Sequence, residues 1–220
     1  MGVDGRDGTQ VGRVVKLDLF AQPDLIVFTT REYAAAAGIG IDSASRQLAR
    51  LKRQNKSLQQ LTRGVWANTA HPHFNPYSCV AKLAGREQAY VSFLSALHLH
   101  GVLSQIPATI QIATTGHTRA LRTPIGTFEF LQLKPALFRE GIDWRDTAIP
   151  YLLATVEKAL FDTLYISTRK NRRFSRLPEL ELDTGNFNER IYKKLIKNSQ
   201  LPPQVMVAMR ARYESLPLRL

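Results

Sequence analysis

The chain has 220 residues and a formal net charge of +12, with 30 Lys and Arg against 18 Asp and Glu. Apolar residues make up 44% of the sequence, which excludes a disordered protein, and the excess of positive charge favours a polyanionic partner, either nucleic acid or an anionic membrane surface. Cys79 is the only cysteine, so the sequence excludes a disulfide framework or a cysteine metal cluster within one chain.

The N-terminal part of the sequence predicts several short elements. Residues 11–21 favour a helix over a strand, and the apolar segment PDLIVFTT predicts a short strand. The next segment, TTREYAAAAG, predicts a helix, because Thr29 and Glu32 have the spacing of a capping box and Gly38 suits the position just after a helix end.

A second helix and a hairpin follow. The helix is expected to begin at Asp42 or Ser43, which are both good N-cap residues. At 100° per residue, its apolar side chains fall on one side and its arginines on the other. The apolar set is Ala44, Leu48 and Leu51, and the basic set is Arg46, Arg50 and Arg53. The segment SLQQLTRGVWANT then predicts two short strands around Arg63 and Gly64, with Trp66 as a packing residue.

Together these elements predict a winged helix-turn-helix domain over residues 1–70. The sequence contains no Asp or Glu between Asp42 and Glu87, as expected of a surface that lies against phosphates. In such domains, residues near the start of the second helix reach base edges, and those further along contact phosphates. The predicted base contacts are Ser43, Ser45, Arg46 and Gln47, and the predicted backbone contacts are Arg50, Lys52, Arg53 and Lys56, with Arg63 at the hairpin tip. A solvated basic face, or a winged domain that binds protein, is the alternative.

The remainder of the chain predicts a mixed α/β domain over residues 78–220, after a Pro-containing linker at 71–77. The overall fold class is therefore α+β. Apolar residues at helical spacing predict a helix in LLATVEKALFDTLYIS. The other predicted elements are a strand end and helix in YVSFLSALHLHG, a strand in ATIQIATTG, a hairpin in LRTPIGTFEFLQL, and closing helices in NERIYKKLIKN and PPQVMVAMRARYESL.

Four segments carry a family resemblance: LTRGVWANT, YVSFLSALHLHG, IQIATTGHTRALRTPIGTFEFLQLKPALF and ATVEKALFDTLYIS. They resemble the AbiEi antitoxin family of type IV toxin–antitoxin systems over most of residues 25–170. The resemblance implies a transcriptional repressor whose N-terminal winged helix binds inverted repeats in its own promoter. It also implies that the C-terminal part is an antitoxin, and that it opposes a nucleotidyltransferase-like toxin from the same operon without a stable complex.

Patterns of catalysis are absent from the sequence, so we expect no enzyme, cofactor or metal. Neither Glu129 nor Glu157 has the acid-x-Lys spacing of a restriction-type nuclease, and no Asp-x-Asp pair suits a two-metal nucleotidyltransferase. His98 and His100 are two residues apart, whereas helical zinc pairs are four apart. The loop TTGHTR, which ends at Arg119, either binds phosphate or forms a structural turn.

A second basic group lies in the C-terminal part. Arg190, Lys193, Lys194 and Lys197 fall on one face of a predicted helix, and the segment before it adds Arg172 and Arg173. These six residues form a second candidate nucleic-acid surface, or a solvated face. The alternatives to a repressor are therefore an RNA-binding or nucleic-acid-processing protein that uses this surface and the TTGHTR loop, and a protein-binding module that contacts the toxin.

The sequence predicts no membrane partner. No apolar run is long enough for a transmembrane helix, and the N-terminal residues contain acids and lack the apolar core of a signal peptide. We therefore expect a cytoplasmic location.

Overall fold

A computed structural model describes residues 20–169, 174, 176–183 and 185–216 of the chain. Within them the fold is a mixed α+β arrangement with seven α-helices and two sheets, which confirms the predicted class. Most of the helix predicted over residues 11–21 lies outside the described residues.

Contacts divide the chain into two compact units. The first takes in the described residues as far as Leu83, together with residues 123–125 and 146–150, and the second takes in the others. The predicted boundaries, a first domain ending at residue 70 and a linker at 71–77, stay a prediction.

The first unit has a three-stranded antiparallel sheet with two helices inserted between its first and second strands. Its strands are β1 (Val27–Thr29), β2 (Leu58–Thr62) and β3 (Val65–Asn68), and β3 lies between the other two. The helices α1 (Thr30–Ala36) and α2 (Ile41–Gln54) lie between β1 and β2 in the chain. The predicted strand, first helix and hairpin are confirmed.

Local signals fix both ends of α1. At its start, Thr29 and Glu32 form the predicted capping box, with Thr29 N–H donating to a Glu32 carboxylate oxygen at 2.7 Å and Glu32 N–H donating to the Thr29 hydroxyl at 3.2 Å. At its end, Gly38 has a φ of +64°, and Ile39 N–H donates back to the Ala34 carbonyl at 3.0 Å. This is the glycine stop expected from the sequence.

Helix α2 begins earlier than expected, so the predicted start at Asp42 or Ser43 is wrong. Gly40 is the N-cap, in an extended conformation that makes no side-chain bond, and its carbonyl already accepts from the N–H of Ala44 at 2.9 Å. The two polar residues therefore lie within the first turn, where the carboxylate of Asp42 suits the positive end of the helix dipole.

One apolar core holds the first unit together. It is built from buried side chains of both helices and the sheet. The partly buried Ile39 and Leu51 pack against it, so the turn between α1 and α2 is fixed by the same core. The core residues are Leu25, Phe28, Tyr33, Ala34, Ala44, Leu48, Leu58 and Trp66.

The second unit is built on a six-stranded mixed sheet. Numbered along the chain as β4 to β9, with the ranges given at the end of this paragraph, its strands lie in the order β6-β7-β5-β4-β9-β8. The β6–β7 hairpin was predicted, and β4 and β5 match predicted strands. The pairs β4–β5 and β8–β9 are antiparallel, whereas β4–β9 and β5–β7 are parallel. The strands are β4 (Ala89–Val91), β5 (Ile110–Thr114), β6 (Arg119–Thr123), β7 (Gly126–Gln132), β8 (Ile142–Arg145) and β9 (Tyr151–Ala154).

Helices complete the second unit. Every residue of α5 (Val156–Ser167) is buried, because this helix packs against α4 (Phe93–Leu99), α6 (Glu189–Asn198) and α7 (Pro203–Glu214). The helical pattern predicted in LLATVEKALFDTLYIS holds only from Val156 onwards, since the preceding residues form β9, and apolar spacing alone does not separate a short buried strand from a helix. The remaining helix, α3 (Val80–Ala84), has four of its five residues in the first unit, which ends at Leu83 in this part of the chain. Across the part of the chain that the structure covers, no helix has the length and apolar character needed to cross a membrane.

Candidate nucleic-acid interface

Helix α2 has one buried face and one cationic face. Ala44 and Leu48 are fully buried, whereas Arg46, Arg50 and Arg53 are exposed. The spacing of 100° per residue produces this separation directly, because the three arginines lie on the far side of the helix from the buried pair. The predicted orientation of α2 is thereby confirmed.

The four predicted base contacts lie within the first two turns of α2. Ser43, Ser45 and Arg46 are exposed, and Gln47 is half-buried at the margin of the core. Their side chains carry hydroxyl, guanidinium and amide groups, which are the donors and acceptors that bind base edges. Asp42 is the single acid of the helix and is also exposed.

The predicted backbone contacts are exposed as well. Arg50, Lys52 and Arg53 lie on the second half of α2, Lys56 follows its end, and Arg63 is in the turn of the β2–β3 hairpin. Within the described residues, none of the five forms an ion pair with an acid. Their charges are therefore available to an anionic partner.

The hairpin is anchored to α1. The indole N–H of Trp66 donates to the Thr30 hydroxyl at 3.0 Å, and the N–H of Thr30 donates to the Gly64 carbonyl at 2.9 Å. Trp66 is only 3% exposed, which confirms the predicted packing role. The position of Arg63 is thus set by the same contacts that fix the helices.

Glu32 adds little free negative charge to this unit. Its carboxylate accepts from the Lys82 ammonium and from the Thr29 N–H. Burial raises the pKa of Glu32, but the bonds from Lys82 and Thr29 together outweigh it, so the pKa lies below its usual value.

The second candidate surface is present in part. Arg190, Lys193, Lys194 and Lys197 are exposed on α6, and Lys193 forms an exposed ion pair with Glu189 at 3.1 Å. The opposite face of α6 buries Tyr192 and Leu195. Arg172 and Arg173 lie outside the described residues.

The TTGHTR loop is organised around a carboxylate. Glu87 accepts from the Arg119 guanidinium at 2.7 Å and from the Thr114 hydroxyl at 3.1 Å. Arg119 also stacks over the ring of Phe130 at 4.2 Å, and a Cβ added at Gly116 would meet the Glu87 carboxyl carbon at 1.9 Å. The Arg119 guanidinium is therefore already paired with a carboxylate of the same chain, which favours the structural turn.

A buried polar network was not predicted from the sequence. The Lys158 ammonium pairs with Asp162 one turn along α5, and the side chains are 2% and 0% exposed. Tyr90 and Ser92 donate to the other Asp162 oxygen at 2.9 and 2.7 Å. Burial raises the pKa of Asp162, although these partners act to lower it. A Lys–Asp pair four residues apart in a mostly apolar helix was the available signal.

No group of His, Cys, Asp and Glu side chains suited to a metal ion occurs among the described residues. No family model matches the chain, and no curated protein matches it.

Proposed function

We propose that the chain binds double-stranded DNA through a winged helix-turn-helix formed by the first unit. In this proposal α2 is the recognition helix and the β2–β3 hairpin is the wing. The observation that carries it is the cationic face of α2, which is exposed and directly opposite the buried Ala44 and Leu48, and which forms no ion pair with any acid in the part of the chain that the structure describes.

The two halves of α2 have different roles. Arg46, in the second turn, is the base-reading residue, because a guanidinium binds the O6 and N7 atoms of guanine with two hydrogen bonds. The side-chain amide of Gln47 binds the N6 and N7 atoms of adenine with two hydrogen bonds in the same way. Arg50, Lys52 and Arg53 neutralise phosphates further along the groove, and Arg63 meets the backbone from the wing.

On this basis the protein is a transcriptional repressor and antitoxin of a type IV toxin–antitoxin operon. Support comes from the resemblance to the AbiEi antitoxins described above and from the strongly basic composition. The repressor binds inverted repeats in its own promoter, and the C-terminal domain opposes a nucleotidyltransferase-like toxin without a stable complex.

A second candidate function is RNA binding through α6. RNA binding is favoured by the four cations on one exposed face of α6. Among the described contacts, they form a single ion pair, from Lys193 to Glu189. Phosphate binding by such a face is independent of sequence.

The test of DNA binding is selection from random duplexes with the full chain. We expect the wild type to enrich a defined sequence as an inverted repeat, with half-site centres about 10 base pairs or a multiple apart. The triple variant Arg46→Gln, Arg50→Gln and Arg53→Gln should enrich none, whereas the control Arg86→Gln, at an exposed position outside the first unit, should match the wild type. Equal enrichment by both variants contradicts the proposal.

A further inference from the structure

Strand β8 is an open edge of the six-stranded sheet. Among the described residues it pairs with β9 alone, on one side. Edge strands leave a row of N–H and C=O groups that another strand can bind, and proteins usually guard them with charges or prolines. Strand β8 also carries charges, but they are of opposite sign: the exposed Asp143 and Arg145 lie on either side of Trp144, which is 68% exposed.

The backbone of Trp144 faces the open edge. Thr155 N–H donates to the Gly141 carbonyl at 2.9 Å, one residue before the antiparallel β8–β9 ladder begins. In such a ladder, directly opposite residues alternate between hydrogen-bonded and non-bonded pairs. Asp143 and Arg145 therefore bond to β9, whereas the N–H and C=O groups of Trp144 point away from it.

The β8 edge is complementary to itself. In an antiparallel pairing of two copies about Trp144, the two Trp144 residues exchange both backbone hydrogen bonds. Asp143 of each copy then lies opposite Arg145 of the other, in the non-bonded pairs that bring side chains closest. The two tryptophan side chains lie together on the other face of the ribbon, because side chains alternate along a strand.

We propose that two copies of this chain associate through β8 about a twofold axis. The second copy completes the sheet edge, and its charges match the two that β8 presents. Neither Asp143 nor Arg145 forms an ion pair within the described residues, so both are available for this contact. Such an interface is isologous, with the same residues on both sides.

The association is weak and depends on concentration. Four residues of edge strand bury much less than the roughly 800 Å² per partner of a stable interface. Two copies held on neighbouring DNA half-sites would gain from a high effective concentration, but the contact itself requires no DNA.

Charge reversal in the full chain tests the pairing. Asp143→Arg sets arginines against arginines and Arg145→Asp sets aspartates against aspartates, so each variant alone should self-associate about tenfold more weakly than the wild type. An equal mixture of the two variants restores both ion pairs and should associate at least as tightly as the wild type. The control Arg86→Asp carries the same charge change at an exposed residue away from β8 and should behave as the wild type.

Sedimentation without DNA measures these equilibria, and tryptophan emission gives a local readout. Trp66 is buried, so a concentration-dependent blue shift reports on Trp144. Trp144→Ala provides a second variant that removes the aromatic contact and should also weaken association. The proposal is overturned if the wild type and the mixture both stay monomeric, or if both reversals leave association unchanged. Neither result bears on DNA binding, because the assay contains no DNA.

Discussion

In the proposed DNA complex, base recognition depends most on Arg46. It is exposed in the second turn of α2 and lies opposite the buried Ala44 and Leu48. Arg46→Ala should weaken operator binding by about 1–3 kcal/mol and flatten the preference at one base position. Competition binding with single-base operator variants measures both effects. An equal loss on operator and random duplex would instead make Arg46 a phosphate contact.

Cys79 is expected to be chemically inert in the folded protein. It is fully buried, and burial raises the pKa of its thiol to about 12. Since only the thiolate reacts with alkylating agents, the native protein should resist iodoacetamide at pH 8, and the unfolded protein should be labelled completely. Mass spectrometry after timed labelling gives the result. Rapid labelling of the native chain would show that the packing around Cys79 opens readily.

At the scale of elements, the turn between α1 and α2 depends on one glycine more than on its neighbour. Gly38 has a φ of +64°, whereas Gly40 has an extended backbone with a φ of −67°. Gly38→Ala should lower the free energy of unfolding by about 1–2 kcal/mol, because alanine disfavours the left-handed region.

Gly40→Ser is the matched control for this turn. Serine adopts the N-cap conformation and caps α2, so this variant should be as stable as the wild type or slightly more stable. A Cβ added at either glycine meets no atom within 4 Å, so neither substitution introduces a steric clash that would change the stability of its variant. Equal denaturation midpoints for both variants would contradict the assigned turn.

Two ion pairs with the same helical spacing should differ in their effect on stability. Asp162→Asn leaves the buried Lys158 ammonium without its counter-charge, and should cost about 3–5 kcal/mol. Lys193→Ala breaks the exposed pair with Glu189 and should leave the midpoint of urea unfolding almost unchanged. Urea unfolding of both variants provides the comparison. A small loss for Asp162→Asn would mean that water reaches Lys158.

Local signals in the sequence predicted elements whose causes are themselves local. The capping box of Thr29 and Glu32, the stop at Gly38 and the outward face of α2 depend only on near neighbours. Strand β9 pairs with β4, which is distant in the chain, and α5 is buried on all sides, so periodicity neither separated β9 from the helix nor revealed the partners of Asp162. The chemistry of the candidate site could be predicted because charge and helix phase determine it.

At the scale of the whole molecule, the net charge of +12 is spread over more than one surface. The exposed cations of α2 and the β2–β3 hairpin form one set, and those of α6 form another. Both would attract nucleic acid at long range, but only contacts that neutralise phosphates release counterions. The salt dependence of binding therefore separates the surface that touches DNA from one that only raises its local concentration.

A salt titration of the full chain on a single duplex half-site tests DNA binding through α2 and the hairpin most directly. About four phosphate contacts would give a slope of log affinity against log salt near −3.6, at about 0.9 per contact. Neutralising Arg50, Arg53 and Arg63 should flatten the slope, and neutralising the four cations of α6 should leave it unchanged. A negligible slope for the wild type, or one that only the α6 variant changes, would contradict DNA binding through α2 and the hairpin.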